Sequence, residues 1–450
     1  MRRVQYTSSS AIRRGMARLA GPPTPAHRRI PPRKRLARLY AVLAALALLL
    51  NAGCQGRRSE AYRFEPTPRP VLANVGFTPS HSGRIGLDLV ASPDVHLLAV
   101  TGEGDGARLA LFNSENGGDT FQPPVWVSEP GKHVTSAGED SPAFLVTEGY
   151  MFAAWNEGRQ LRFARSVSWG ESFEKPVTVT DKKNDSFSGY PSIGIAPNQD
   201  VYVVWIDTRD QVREGDENYS LYLARSTDHG VSFGKNVRVA TKICPCCRPT
   251  LAFGPAGEVM VIWRHIYPGP IHDMTVAIST DNGTSFSASQ RIAEDNWKIN
   301  GCPDSGPATA RSGKRVYVAW LTEATPEISG VRLSWSDDGG RTWAPAVRAS
   351  QDILDANYPA FSVGSDGSPL LVFQGRDPDQ RAGWSRFGVY AVKIASDATL
   401  AKPIAVPGIA SSAMRPAVAA GMGGRVYVAW TGTQDNNQAV FLSRARSGAQ

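Results

Sequence analysis

The sequence predicts an all-β protein: a β-propeller of four-stranded blades, seven by preference, closed by a strand from the N-terminus. Three observations predict it. A unit made of a Pro, a short apolar strand, a turn and a second strand of the Val-Tyr-Val-Ala-Trp type recurs along the chain. The aromatic closing that second strand falls at Trp155, Trp205, Trp263, Trp320, Phe373 and Trp430, six positions spanning 275 residues at a mean step of 55. The composition agrees. Among 450 residues, 43 Gly, 32 Pro and 11 Trp describe many turns and an aromatic-rich β body, and 42% hydrophobic residues exclude a disordered chain.

The chain begins with a leader. Its formal charge of +8 suggests a nucleic-acid or anionic-surface partner, but residues 1–53 hold eleven basic side chains and no acid. Without them, 38 basic residues face 41 acids, a balance of −3, so no nucleic-acid partner is expected. The run Leu39 to Leu50 has twelve apolar residues, fewer than the roughly 20 that span a bilayer. With its positive flank it reads as a secretory signal peptide over 1–53, and Met16 is an alternative start. Ala52-Gly53-Cys54 resembles a bacterial lipobox. That resemblance implies a diacylated Cys54 as the mature N-terminus, with the lipid as the only membrane contact. The protein is then exported to the periplasm or the outer membrane and cell surface. Ordinary signal-peptidase cleavage nearby is the alternative. Residues 54–63 form a tether, and 64–450 the propeller, expected to be a monomer.

The repeat units follow. Val100 holds the place of the closing aromatic in an earlier, degenerate copy, which brings the count to seven. Each third strand, such as Leu221 to Arg225, runs into a second signature, clearest in Ser226 to Phe233 (STDHGVSF). Ser279 to Phe286 and Ser336 to Trp343 match it position for position. Ser166 to Phe173 carries Ser168 in place of the Asp, and Ser114 to Phe121 carries Asn116. This signature is similar to the Asp-box, or bacterial neuraminidase repeat, of sialidase-like β-propellers, and the resemblance covers residues 64–450. Its role is structural: the Asp accepts backbone N–H bonds within a tight turn, Gly supplies positive φ, and the aromatic fills a gap in the blade. The seventh unit stops after its third strand, Phe441 to Arg446, and Phe64 to Leu72 is the expected fourth strand that closes the ring. A six-bladed ring with the first copy outside it is the alternative.

In a propeller the innermost strand starts at the channel mouth, opposite the Asp-boxes. The residues just before each recurring Pro are Ser141, Tyr190, Arg248, Gly306, Tyr358 and Arg415, with Arg84-Ile85 in the first unit, and Asp140 and Asp304 lie just upstream. The resemblance to sialidases implies three arginines gripping a carboxylate, a Tyr nucleophile and an Asp acid/base. Carried onto this chain, Arg84, Arg248 and Arg415 are the grip, Tyr190 or Tyr358 the nucleophile, and Asp140 the acid/base. The bland reading is that these residues hold loops together. Trp297 and Trp384 on mouth-side loops are candidates for stacking on a sugar ring. The charge-dense loop with Asp207, Arg209, Asp210 and Arg213 reads as solvated.

Beyond Cys54, every cysteine falls in one sector: Cys244, Cys246 and Cys247 entering the fourth unit, and Cys302 entering the fifth. The facing loop carries His265 and His272. Two disulfides in an exported protein are one reading, with Cys246 or Cys247 bridging to Cys302. A thiolate-rich Cu or Zn site with His265 is the other. No phosphate-binding glycine loop, serine elbow or His-Glu-x-x-His motif is present. Two functions are expected. One is a sialidase-like hydrolase or binder of an anionic glycan at the mouth. The other is a non-catalytic ligand-, partner- or metal-binding propeller that uses the Cys/His sector.

Overall fold

The computed structural model describes residues 62–66, 72–73, 84–87, 94–101, 107–136, 138–213, 218–379, 387–408, 413–434 and 437–446. The leader, Cys54, Trp384 and nearly all of the expected tether lie outside them. The described chain folds into seven antiparallel sheets. Blades 1 to 7 span 84–126, 143–178, 188–241, 250–291, 308–348, 354–406 and 413–446. In each, the first strand is innermost and packs beside the first strands of the adjoining blades. That of blade 7, Ala413–Ala420, returns beside that of blade 1, Arg84–Leu87. The ring is therefore a closed seven-bladed propeller. The degenerate first copy makes a four-stranded blade of its own, so the six-bladed alternative is corrected.

The repeated Val-Tyr-Val-Ala-Trp strands explain the packing. A blade is covered on both faces by its neighbours, so its second strand needs apolar residues on both sides and does not alternate. Val95–Thr101 and Val201–Asp207 are buried at every position. Trp155, Trp205, Trp263 and Trp320 are all fully buried. Among the described residues the core is divided into one apolar cluster for each pair of adjoining blades. Phe152 and Phe163 of blade 2, for example, pack with Val203 and Trp205 of blade 3.

Closure follows the expected route. Arg63–Pro66 pairs antiparallel with Asn437–Arg446 of blade 7, Phe64 opposite Ala445, and Leu72–Ala73 pairs further along the same strand. Tyr62 and Phe64 are buried in the cluster between blades 6 and 7. A strand from one end of the chain thus occupies what would be an unpaired edge.

In blades 1 to 5 the turns after the third strands share one bonding pattern. In blade 3, Ser226 Oγ accepts from Gly230 N (2.8 Å) and donates to Asp228 Oδ1 (2.6 Å), and Asp228 Oδ1 accepts from Ser232 N (3.0 Å). Ser279 with Asp281 and Ser336 with Asp338 repeat it. Asn116 and Ser168 keep the acceptor role in blades 1 and 2. Gly230 has φ +82°, and a Cβ there would lie 2.5 Å from the Phe163 ring, so both backbone and space require glycine. Burial alone would raise the Asp228 and Asp338 carboxyls, but the hydroxyls of Ser226, Ser232, Thr342 and Ser336 hold both down to about 2. At Asp281 the Ser285 and Ser279 hydroxyls do the same, again to about 2. A carboxyl held low in the fold contributes stability above its unfolded pKa, near 3.9, that is lost as pH falls. The expected result is an acid-unfolding limb between about pH 4 and 2. Circular dichroism against pH should show it flattened in a variant with Asp228, Asp281 and Asp338 all changed to Asn. An unchanged limb would contradict the assignment.

Candidate active site at the channel mouth

Three of the mouth residues sit in a recurring irregularity. Tyr190, Tyr358 and Arg415 each precede a proline and have φ of +57°, +50° and +52°. Each lies where the inner strand slips register against the second, between Gly189 and Ser192, Asn357 and Ala360, and Met414 and Ala417. A left-handed φ is costly for a residue with a side chain, and a following proline favours extended backbone instead. Strain of this kind, repeated at one end of the channel, points to function. The bulge interrupts the pleat and re-aims the side chain.

The resulting cavity, about 270 Å³, is lined by Arg248, Tyr358, Arg415 and Glu139, with the hydroxyl-bearing Ser192, Thr250 and Thr309. Arg415 Nη2 donates to Asp304 Oδ2 at 2.9 Å, and its guanidinium lies 4.8 Å from the centre of the Tyr358 ring. Tyr358 OH donates to the same carboxylate oxygen at 3.5 Å. Burial pushes the Tyr358 hydroxyl up to about 12, with Arg415 opposing and Asp304 reinforcing the rise. Arg248 Nη2 donates to Glu139 O at 2.7 Å and to Ser141 Oγ at 2.7 Å, and its Nε donates to Glu139 O at 3.0 Å. Burial lowers its pKa, and the neighbouring Glu139 and Asp140 charges oppose that. Arg248 has no carboxylate ion pair among the described residues. Gly306 is what admits it: a Cβ there would lie 2.2 Å from Arg248 O.

Tyr190, Asp140 and Trp297 are placed differently. Tyr190 packs into the cluster between blades 3 and 4, and burial raises its hydroxyl, reinforced by Asp140 and Asp304. Asp140 is buried, and its oxygens accept from Tyr190 N (2.6 Å) and Asn156 Nδ2 (2.9 Å). Burial raises its pKa against those bonds. Arg84 begins the inner strand of blade 1, opposite Leu98. Trp297 is buried, with the Arg264 guanidinium 4.9 Å from its ring centre. In the loop after the second strand of blade 3, Arg209 pairs with Asp207 (2.9 Å) and Asp181 (2.8 Å), which makes this part of the loop a brace. Sequence reasoning missed Glu139 as a cavity residue and Asp304 as the carboxylate linking Tyr358 to Arg415. Their shared position three residues before the recurring Pro was the available signal.

The cysteine sector is compact. Cys246 and Cys302 form a disulfide that ties the loops entering blades 4 and 5. Cys244 and Cys247 are buried thiols with sulfurs 3.0 Å apart, and Cys244 lies 3.6 Å from Cys246. The hydrogen bond from Cys247 lowers the Cys244 pKa, and burial raises that of Cys247. Period-2 alternation decides which imidazole joins them. Arg264 pairs with Met274 and Ile266 with His272, so Arg264 and His272 share one face of the hairpin. His265 takes the other face, edge-on to Tyr267 at 4.4 Å, and burial lowers its pKa to about 4. His272 therefore stands beside Cys244, in the place expected for His265.

No family model and no curated protein matches the chain. Among solved structures it is similar to a Dyadobacter fermentans protein of unknown function, at 13% identity and TM-score 0.49 over 84% of this chain and 99% of that one. It is also similar to the Penicillium chrysogenum alpha-L-arabinanase solved with arabinobiose (12%, TM-score 0.47, 67% and 92%) and to a Hadza microbial sialidase (13%, TM-score 0.45, 88% and 94%).

Proposed function

We propose that this propeller takes the carboxylate of an acidic glycan at its channel mouth and acts as a glycoside hydrolase of the sialidase type. One observation carries the reading: Arg248 and Arg415 line a single cavity together with Tyr358. Guanidinium forks bind carboxylates in bidentate fashion, and Arg248 makes no ion pair of its own among the described residues. Tyr358 is the nucleophile. A phenol approaches an anionic sugar without the repulsion a carboxylate would meet, and sialidases are the glycosidases that use a Tyr. Its hydroxyl is protonated at neutral pH, so Asp304 accepts the proton as the Tyr oxygen bonds to the anomeric carbon. Glu139, which lines the cavity, protonates the leaving oxygen; Asp140 does not line it. The Ser-x-Asp turns support membership of the Asp-box propellers. The Cys246–Cys302 disulfide supports an exported chain, with Cys54 as its lipid anchor.

The mature protein, assayed against fluorogenic sialosides and uronides, should release product from carboxylate-bearing glycosides and not from their neutral analogues. Binding without turnover would remove the hydrolase and leave the grip. Neither binding nor turnover with any acidic sugar would overturn both.

A further inference from the structure

The cysteine sector holds features that a mouth-binding role does not use. Cys244 and Cys247 have the Cys-x-x-Cys spacing of a metal-ligand pair, and both thiols are buried. His272 is 5% exposed, and its Nδ1 is buried without a hydrogen-bond partner among the described residues. Arg264 is 1% exposed, and among the described residues its guanidinium hydrogen-bonds to carbonyl oxygens alone: His272 O (3.2 Å), Ser305 O (3.3 Å) and Leu321 O (2.8 Å). It has no carboxylate partner among the described residues. A buried cation without a counter-charge is strongly disfavoured.

We infer that Cys244, Cys247 and His272 form a closed site for one Cu(I) ion, braced by the Cys246–Cys302 disulfide. The charges decide between states. Two thiolates carry −2, which one Cu(I) and Arg264 neutralise. Zn(II) in the same place leaves the site at +1, and a structural zinc site requires a fourth ligand. A Cys244–Cys247 disulfide leaves Arg264 with no counter-charge and His272 Nδ1 with no partner among the described residues. Thiolate and imidazole donors suit a soft ion. Loading is a simple exchange in which the two thiols lose their protons to solvent as two S–Cu bonds form, with no change of oxidation state.

The test uses the whole mature protein, purified anaerobically without chelators. Elemental analysis, thiol alkylation and Cu(I) titration against a chromogenic chelator are then combined. The expected result is one Cu(I) per chain, two protons released, two thiols shielded from alkylation and one disulfide retained. Cys244→Ser and Cys247→Ser should each abolish tight binding, and His272→Asn should weaken it by about 10-fold or more. Circular dichroism checks that each variant is folded. If a Cys variant fails to fold, alkylation shielding in the wild type and the His272→Asn affinity decide. Stoichiometric zinc instead of copper, a Cys244–Cys247 disulfide in the anaerobic protein, or full copper affinity in His272→Asn would overturn the assignment.

Discussion

Arg415→Ala is expected to lower kcat/KM on an acidic glycoside by about 10²–10³-fold, the loss that follows removal of one preorganised charge-stabilising group. The side chain lies against the Tyr358 ring and shares Asp304 with the Tyr358 hydroxyl, so its removal affects ligand grip and nucleophile together. Without Arg415, Asp304 loses its ion pair and the Tyr358 hydroxyl loses the charge that opposes its high pKa. Arg415→Lys should rescue little, because a point charge cannot reproduce the guanidinium fork. The fold should change much less. Both partners of the ion pair keep some solvent contact, so about 1 kcal/mol or less is at stake there. Steady-state kinetics beside a thermal melt separates the two effects. Equal activity in wild type and Arg415→Ala would remove Arg415 from the site.

Trp205→Ala is expected to cost about 3–5 kcal/mol in unfolding free energy, the range for truncating a fully buried aromatic. Trp205 is wholly buried between blades 2 and 3, stacks on Tyr222 and donates its indole N–H to Asp207 at 2.8 Å. The substitution leaves a large cavity and removes one of the bonds to a buried carboxylate. Urea unfolding measures it directly. Because seven similar interfaces close one ring, the loss should appear as a lower midpoint of a cooperative transition. A cost below about 1 kcal/mol would mean that the recurring aromatics do not carry the packing between blades.

The architecture was legible because its causes are local and repeated. Six of the seven second strands carry a run of apolar residues ending in an aromatic, and in blades 3 to 5 the turn after the third strand carries its Ser-x-Asp-x-Gly bonds. The missing fourth strand of blade 7 told where the N-terminus had to go, and Phe64 pairs there. The site was less legible because it is assembled across blades. Asp304 precedes blade 5, yet its partners Tyr358 and Arg415 begin blades 6 and 7. No spacing rule joins positions 54 and 111 residues apart. Asp140 looked like an acid at the rim, but its oxygens are taken by Tyr190 N and Asn156, and only coordinates reveal such bonds. The choice between His265 and His272 was closer to hand. It depends on the register of one hairpin, which a count from its turn would have supplied.

A carboxylate grip at the mouth is tested most directly by calorimetric titration of N-acetylneuraminic acid beside its methyl ester, in wild type, Arg248→Ala and Arg415→Ala. If Arg248 and Arg415 hold the carboxylate, the acid binds wild type at least about 10-fold more tightly than the ester, and each variant erases most of that difference. Equal affinity for acid and ester, or a preference that survives both substitutions, would contradict it.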